Sequence, residues 1–293
     1  MAKPIRNMGA SVRARLLARS KETGQPYEVL LTRFALERLL YRLSISKHAD
    51  RFVLKGAMRL MTWLDTPHRP TRDLDLLGFG DPDPEGLITL FREVMRQPEE
   101  DGVEFDPAAL RHEPIKADDD YGGIRLRGRA RVGGAQVAVV IDIGFGDAIE
   151  PGVEAIDYPV MLDLPAPRLR AYAPETMIAE KFEAMVSLGR ANSRMKDFFD
   201  IYVLSQTFPF DDDRLATAIA ATFERRKTEL PADIPDALTD DFAADPQKVR
   251  QWRAFVENIS EDPGDLAVMT RALAAFLMPH LEAARARYEK PRR

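Results

Sequence analysis

Thr71-Arg72-Asp73-Leu74-Asp75-Leu76-Leu77-Gly78 sets two carboxylates two residues apart among leucines. On a β-strand, positions i and i+2 point to the same face, so Asp73 and Asp75 emerge side by side. Adjacent carboxylates repel unless a cation lies between them, and Mg2+ prefers oxygen ligands of this kind. Upstream, the extended run Phe52-Val53-Leu54 closes on Lys55-Gly56, and Gly78 closes the acid strand in the same way. A glycine turn beside such a strand lets backbone approach a phosphate chain closely. Acid pairs also occur on solvated faces, so the remainder of the chain has to decide the reading.

The bulk properties exclude several classes. At 293 residues the chain is near the limit for one hydrophobic core, and two subdomains are expected. Hydrophobic residues at 45% and charged residues at 30% fit a globular protein. The absence of cysteine removes disulfides, thiolate metal sites and a cysteine nucleophile. The histidines (His48, His68, His112, His280) are too scattered for a zinc cluster. Neither a signal peptide nor a membrane-length apolar run is readable, so a cytoplasmic location with no membrane contact is expected. A net charge of −5 argues against a generic nucleic-acid coat and leaves room for a local basic patch. There is no Walker-type loop and no Gly-x-Ser-x-Gly elbow.

Along the chain, residues 8–46 read as helices. Val29, Leu31, Phe34, Leu36, Leu39, Leu40 and Leu43 recur near helical spacing, with Arg33, Glu37, Arg38 and Arg42 between them. Residues 52–78 read as strand, helix (58–64), strand, with Pro67 and Pro70 marking a loop before the acids. A helix follows the turn at 81–85. Residues 124–143 read as a hairpin about Gly133-Gly134, with arginines at 125, 127, 129 and 131 alternating with smaller or apolar residues. That turn sets Arg125 opposite Asp142. After residue 167 the pattern turns helical: a helix opening at Pro174-Glu175, then 194–206, 212–226, 246–258 and 264–288, with a basic end expected to fray. The expected organisation is an N-terminal helical segment (1–50), an α/β core (51–165) and a helical C-terminal domain (166–293).

Three further features carry chemistry. Asp142, in the apolar run Val139-Val140-Ile141-Asp142-Ile143, needs either Arg125 or a metal as its partner. Lys181 falls at the edge of an apolar helix face. It either snorkels to water or aims a point charge at phosphates. Asp197 and Asp200 share a face of a helix that is apolar on two sides, so they need partners, with Lys181, Arg190 and Arg194 as candidates. The arginine stripe is either the solvated side of a sheet or a surface for a triphosphate or an RNA backbone.

Taken in order, Phe52-Val53-Leu54-Lys55-Gly56-Ala57, Thr71-Arg72-Asp73-Leu74-Asp75-Leu76, Val140-Ile141-Asp142-Ile143-Gly144-Phe145-Gly146-Asp147, Glu180-Lys181-Phe182 and Lys196-Asp197-Phe198-Phe199-Asp200 resemble the AbiEii/AbiGii family of nucleotidyltransferase-like toxins. The resemblance covers roughly residues 25 to 205. It implies an α+β fold: a polymerase-β-like nucleotidyltransferase core, with a mixed sheet and flanking helices, followed by an all-helical C-terminal domain. It also implies a Mg2+-dependent enzyme (Mn2+ being an alternative ion) that transfers a nucleotide from an NTP to an RNA acceptor, the tRNA 3′ end, and that is paired with a cognate antitoxin. Carried over by position, Asp73, Asp75, Lys181 and Asp197 would be catalytic, and Asp73, Asp75 and Asp142 would hold metal. Lys55, Gly56, Ala57, Thr71, Arg72, Arg194 and Lys196 would meet the nucleotide. Thr71 stands where a relative carries a regulatory serine. The superfamily's Gly-Ser pair reads Gly56-Ala57 here, which removes a hydroxyl from phosphate handling. The rivals are a small-molecule nucleotidyltransferase and a nucleotide-binding toxin or scaffold without turnover.

Overall fold

The computed structural model describes residues 7–64, 69–115, 123–259 and 262–288. These fall into two compact units. The first holds the described residues up to 64, those of 70–146, and 155–171; the second holds Arg69, Asp147–Glu154 and the chain from Tyr172 onward.

The first unit opens with α1 (Met8–Thr23) and α2 (Tyr27–Ser44). Asn7 caps α1 by accepting from the Ala10 N–H at 2.9 Å, and Gly24 ends it in the left-handed region. There follow β1 (Phe52–Lys55), the short helix α3 (Gly56–Leu60), β2 (Leu74–Gly78) and α4 (Pro84–Met95). The sheet continues with β3 (Val103–Phe105), β4 (Arg111–Ile115), β5 (Gly123–Val132), β6 (Ala135–Phe145), β7 (Val153–Asp157) and β8 (Arg168–Tyr172). Its order is β3-β5-β6-β2-β1-β8-β7, with β4 beside β3 on the outer edge of β5. The pairs β2–β6 and β1–β8 are parallel, and β5–β6 and β1–β2 are antiparallel.

The β5–β6 hairpin forms as its turn dictates. Gly133 and Gly134 both have positive φ, which the tight two-residue turn requires and glycine supplies without strain. The register then pairs Arg125 with Asp142, as the turn position predicts. Leu126, Ala130, Val132, Val137, Val139, Ile141 and Ile143 are buried, while Arg127, Arg129 and Arg131 face water. Four strands escape the sequence reading: β3, β4, β7 and β8. They are short, three to five residues each. The helix expected over 58–64 instead begins at Gly56 and ends at Leu60. Pro67, the chain before Asn7 and the chain after Tyr288 lie outside the described residues.

The core of this unit contains charges. Arg38, Arg42 and Glu37 of α2 are each at most 2% exposed. Arg42 grips Asp101 with two bonds (2.6 and 3.1 Å), and Arg38 reaches the same carboxylate at 3.2 Å. Asp101 also accepts from the Val103 N–H at 3.0 Å. The guanidinium stems fill apolar space while their heads find fixed acceptors, so α2 can bury nearly its whole circumference. Glu37 accepts from the Met161 N–H at 2.8 Å, which ties the helix to a segment far along the chain.

The second unit, after Tyr172, is helical: α5 (Pro174–Leu188), α6 (Met195–Thr207), α7 (Asp212–Arg226), α8 (Asp240–Ala244), α9 (Pro246–Val256) and α10 (Leu266–Tyr288). Proline opens α5 and α9, and Asp211 and Asp245 cap α7 and α9 through their side chains. Phe182 packs on Phe223 and Phe198 stacks on Phe242, both at 5.6 Å between ring centres. Among the described residues, no helix is long and apolar enough to cross a membrane.

Burial pushes the Glu37 carboxyl up to about 7, against smaller opposing effects from the Met161 N–H, Arg38 and Arg33. An acid whose folded value is raised holds its proton while the unfolded chain releases one, so stability is lost as pH rises from about 4.5 to about 7. The loss is on the order of 3 kcal/mol at full effect. Glu37→Gln keeps an acceptor for Met161 without the charge. It is expected to raise the melting temperature at pH 8 and to leave it nearly unchanged at pH 5; equal effects at both values would show that Glu37 does not titrate in this window.

Candidate active site

In the first unit, the parallel pairing of β2 and β6 places Asp75 beside Asp142. Leu74, Leu76, Ile141 and Ile143 are buried on the other side of these strands, which forces the acids onto the opposite face. Asp73 stands one residue before β2 and converges with them. Asp73, Asp75 and Asp142 each offer a carboxylate oxygen, and these oxygens all lie within 4.8 Å of one another. The sequence expectation that all three acids meet is therefore realised in the geometry.

Their surroundings hold them in place. The Thr71 hydroxyl donates to Asp73 Oδ1 at 2.8 Å, and Thr71 itself is buried. Arg72 is exposed. Lys55 is the register partner of Asp75 across β1–β2. Gly56 follows with φ +64°, and a Cβ built there would lie 1.9 Å from Asp75 Oδ2. Only glycine therefore fits at position 56, both for its dihedral angle and for the space that the Asp75 carboxylate already fills. Ala57 is buried in the first turn of α3.

Arg125 forms a two-pronged pair with Asp142: Nε to Oδ1 at 2.7 Å and Nη2 to Oδ2 at 2.6 Å. That hydrogen bonding, with further attraction from Asp142, Asp73 and Glu113, outweighs partial burial and holds the guanidinium above its usual range. Both readings of Asp142 thus apply to one geometry, since it is paired with Arg125 and also stands in the acid cluster. Three hard oxygen donors of like charge fit a small divalent cation such as Mg2+ or Mn2+. Each Asp142 oxygen keeps a lone pair beyond its bond to Arg125.

The second unit assembles its own charged cluster. Lys181 on α5 turns to acidic partners, with 13% of its side chain exposed. It donates to Asp197 Oδ1 at 2.5 Å and lies 2.8 Å from Asp200 Oδ2, both acids being on α6. Burial pulls the ammonium down, but Asp197 and then Asp200 outweigh it and hold it above its usual range. Asp200 is fully buried and also takes a two-pronged bond from Arg69, 2.8 Å on each arm. Of the three cations that the sequence offered for these acids, Lys181 serves them. Arg190 approaches Asp241 instead, and Arg194 and Lys196 are exposed at the start of α6. Arg69 was missed, because 131 residues separate it from Asp200 and no local pattern links them. A second network was missed as well. Arg226 binds Glu183 at 2.7 Å and Asp147 at 3.0 Å, and Tyr172 donates to Glu180 at 2.8 Å. Its sequence signals were Asp147, directly after Gly144-Phe145-Gly146, and Glu180 beside Lys181.

Comparisons with known proteins bear on the family and the fold. The family described as nucleotidyl transferase AbiEii toxin of type IV toxin–antitoxin systems matches residues 38–287. The fold is similar to that of JHP933 from Helicobacter pylori, with a TM-score of 0.52 and 17% identity, covering 89% of this chain and 94% of that one. It is likewise similar to an H. pylori protein assigned as a nucleotidyltransferase, with a TM-score of 0.53 and 18% identity, covering 89% and 98%. No curated protein matches the sequence.

Because Arg125 occupies both oxygens of Asp142, a cation entering the acid cluster competes with it. Arg125→Gln is expected to bind Mn2+ several-fold more tightly than the unaltered chain, read by calorimetry without nucleotide. Weaker or equal binding would mean that Arg125 instead holds Asp142 in place for the ion.

Proposed function

The chain belongs to the AbiEii family of nucleotidyltransferase toxins, and from that premise we propose that it transfers a nucleotide from an NTP to the 3′ end of an RNA, a tRNA being the favoured acceptor. Membership in a type IV toxin–antitoxin family supplies the NTP substrate and an antitoxin partner. The observation that carries the catalytic reading is the convergence of Asp73, Asp75 and Asp142 on one face of β2 and β6.

In the proposed mechanism these three carboxylates would hold Mg2+, which would supply positive charge at the reacting centre. Thr71 fixes the Asp73 rotamer, and Gly56 leaves room for Asp75. The acceptor hydroxyl oxygen bonds to the α-phosphorus and the bond to the β-phosphate oxygen breaks. Pyrophosphate departs, and the hydroxyl proton passes to a carboxylate oxygen of the cluster. By family resemblance, Lys181 is assigned to the nucleotide phosphates, with Asp197 and Asp200 keeping it charged and oriented. Lys55, Ala57, Arg72, Arg194 and Lys196 are assigned to nucleotide contacts on the same ground. Backbone at Gly56-Ala57 stands in for the missing serine hydroxyl.

Two observations favour the rival reading of nucleotide binding without turnover: Arg125 already neutralises Asp142, and no serine follows Gly56. Transfer from each labelled NTP to total tRNA, in the presence of Mg2+, decides between the two. Asp73→Ala and Asp75→Asn are expected to lower transfer at least 100-fold with the melting temperature retained, as loss of a charge-stabilising group at a reacting centre does. Undiminished transfer by either variant would remove the acid cluster from catalysis. Transfer from none of the four NTPs by the unaltered chain would favour the binding-only reading.

A further inference from the structure

The arginines of β5 form a line. Arg125, Arg127, Arg129 and Arg131 all stand on the face opposite the buried Leu126, Ala130 and Val132. Arg125 anchors one end of this line at the acid cluster through Asp142. The other three run away from it over the same face of the sheet. Their register partners on β6 are Val140, Ala138 and Gln136, none of them acidic.

The arginines differ in what already holds them. Arg127 pairs with Glu113 at 2.5 Å, both half exposed, a type of surface pair worth little and easily exchanged. Arg129 and Arg131 are exposed, and among the described residues neither makes an ion pair or a side-chain hydrogen bond. Glu104 is the register partner of Arg131 on β3, yet it forms no bridge with it. Arg111 on β4 lies opposite Arg127 and adds a further cation at the cluster end.

Same-face neighbours on a strand are about 6.8 Å apart, so Arg127 to Arg131 spans roughly 14 Å. That is longer than a triphosphate chain. It suits successive phosphates of an extended polynucleotide, with one guanidinium for each. A chain of net charge −5 draws no polyanion by its overall field, so such a ligand needs a local track.

We propose that the outer face of β5, through Arg127, Arg129 and Arg131, is the track on which the single-stranded backbone of the RNA acceptor lies as its end reaches Asp73, Asp75 and Asp142. This rests on the RNA-acceptor reading above and adds the surface that receives the strand.

The test uses the full chain and a fluorescein-labelled 12-nucleotide single-stranded RNA, with anisotropy read from 50 to 200 mM KCl. Arg129→Gln/Arg131→Gln changes only exposed side chains, so its melting temperature is expected to match that of the unaltered chain. Its Kd for the RNA is expected to rise about tenfold at 100 mM KCl, and the slope of log K against log salt to fall by roughly 1.4, as for two lost single-strand phosphate contacts. KM for the RNA acceptor rises with it, while KM for NTP stays unchanged. Arg250→Gln/Arg253→Gln on α9 removes the same charge elsewhere and is expected to shift Kd less than twofold. If the unaltered chain binds the RNA and the β5 variant binds it equally well, or if the α9 variant loses as much, the track is overturned and the RNA reading survives. If the unaltered chain binds no RNA and transfers only to small alcohols, the RNA reading falls and the track falls with it.

Discussion

Two carboxylates at adjacent positions of paired parallel strands repel, and the β2–β6 ladder sets Asp75 against Asp142 in this way. The arrangement persists because burial of Leu74, Leu76, Ile141 and Ile143 on the reverse face fixes the register; a slip of one residue in either strand would turn its two apolar side chains to water and its acid into the core. Hydrophobic burial thus holds the like charges together, and Arg125 offsets one of them. Much else follows from that ladder. The hairpin must deliver Arg125 opposite Asp142, β1 must pass close enough to require glycine at position 56, and Thr71 must fix the first acid of the three.

Each unit also carries charges in its interior, and each pairs them locally. In the first, Arg38 and Arg42 share Asp101. In the second, Lys181 and Arg69 meet Asp197 and Asp200, two cations for two anions. Breaking one member of such a set leaves its partner buried and unpaired, a cost of about 3–5 kcal/mol. This differs from the acid cluster of β2 and β6, where three carboxylates gather and partial exposure is retained.

Much of this was legible in the sequence, and the limits are physical. The hairpin was readable because Gly133-Gly134 fixes both turn and register, so Arg125 facing Asp142 followed from counting. The helices α5, α6, α7, α9 and α10 were readable as helical stretches, α5 with a proline at its start. The ordered motifs identified the family across most of the chain. The strands β4 and β8 were not readable: Arg111-His112-Glu113-Pro114-Ile115 lacks the alternation that marks a half-buried strand, and Arg168-Leu169-Arg170-Ala171-Tyr172 is too short for its alternation to stand out. Asp101, which Arg38 and Arg42 share, and Arg69, which joins Lys181 at Asp200, lie 59 to 131 residues from those partners, and pairings over such separations leave no local trace. The contact of Gly56 with Asp75 was hidden for a related reason: the glycine was legible as a turn, but not what it makes room for.

That contact also sets how easily the chain could be disarmed in evolution. Every glycine codon becomes an alanine codon through one base change, and at residue 56 the added methyl would land on a carboxylate oxygen. A lineage that lost its antitoxin would carry, at this one codon, a route to a harmless protein that keeps every acid of the cluster. Homologues with Asp73, Asp75 and Asp142 intact but a side chain at the position of Gly56 would then be relics of such escapes, recognisable as inactive although all their motif acids survive.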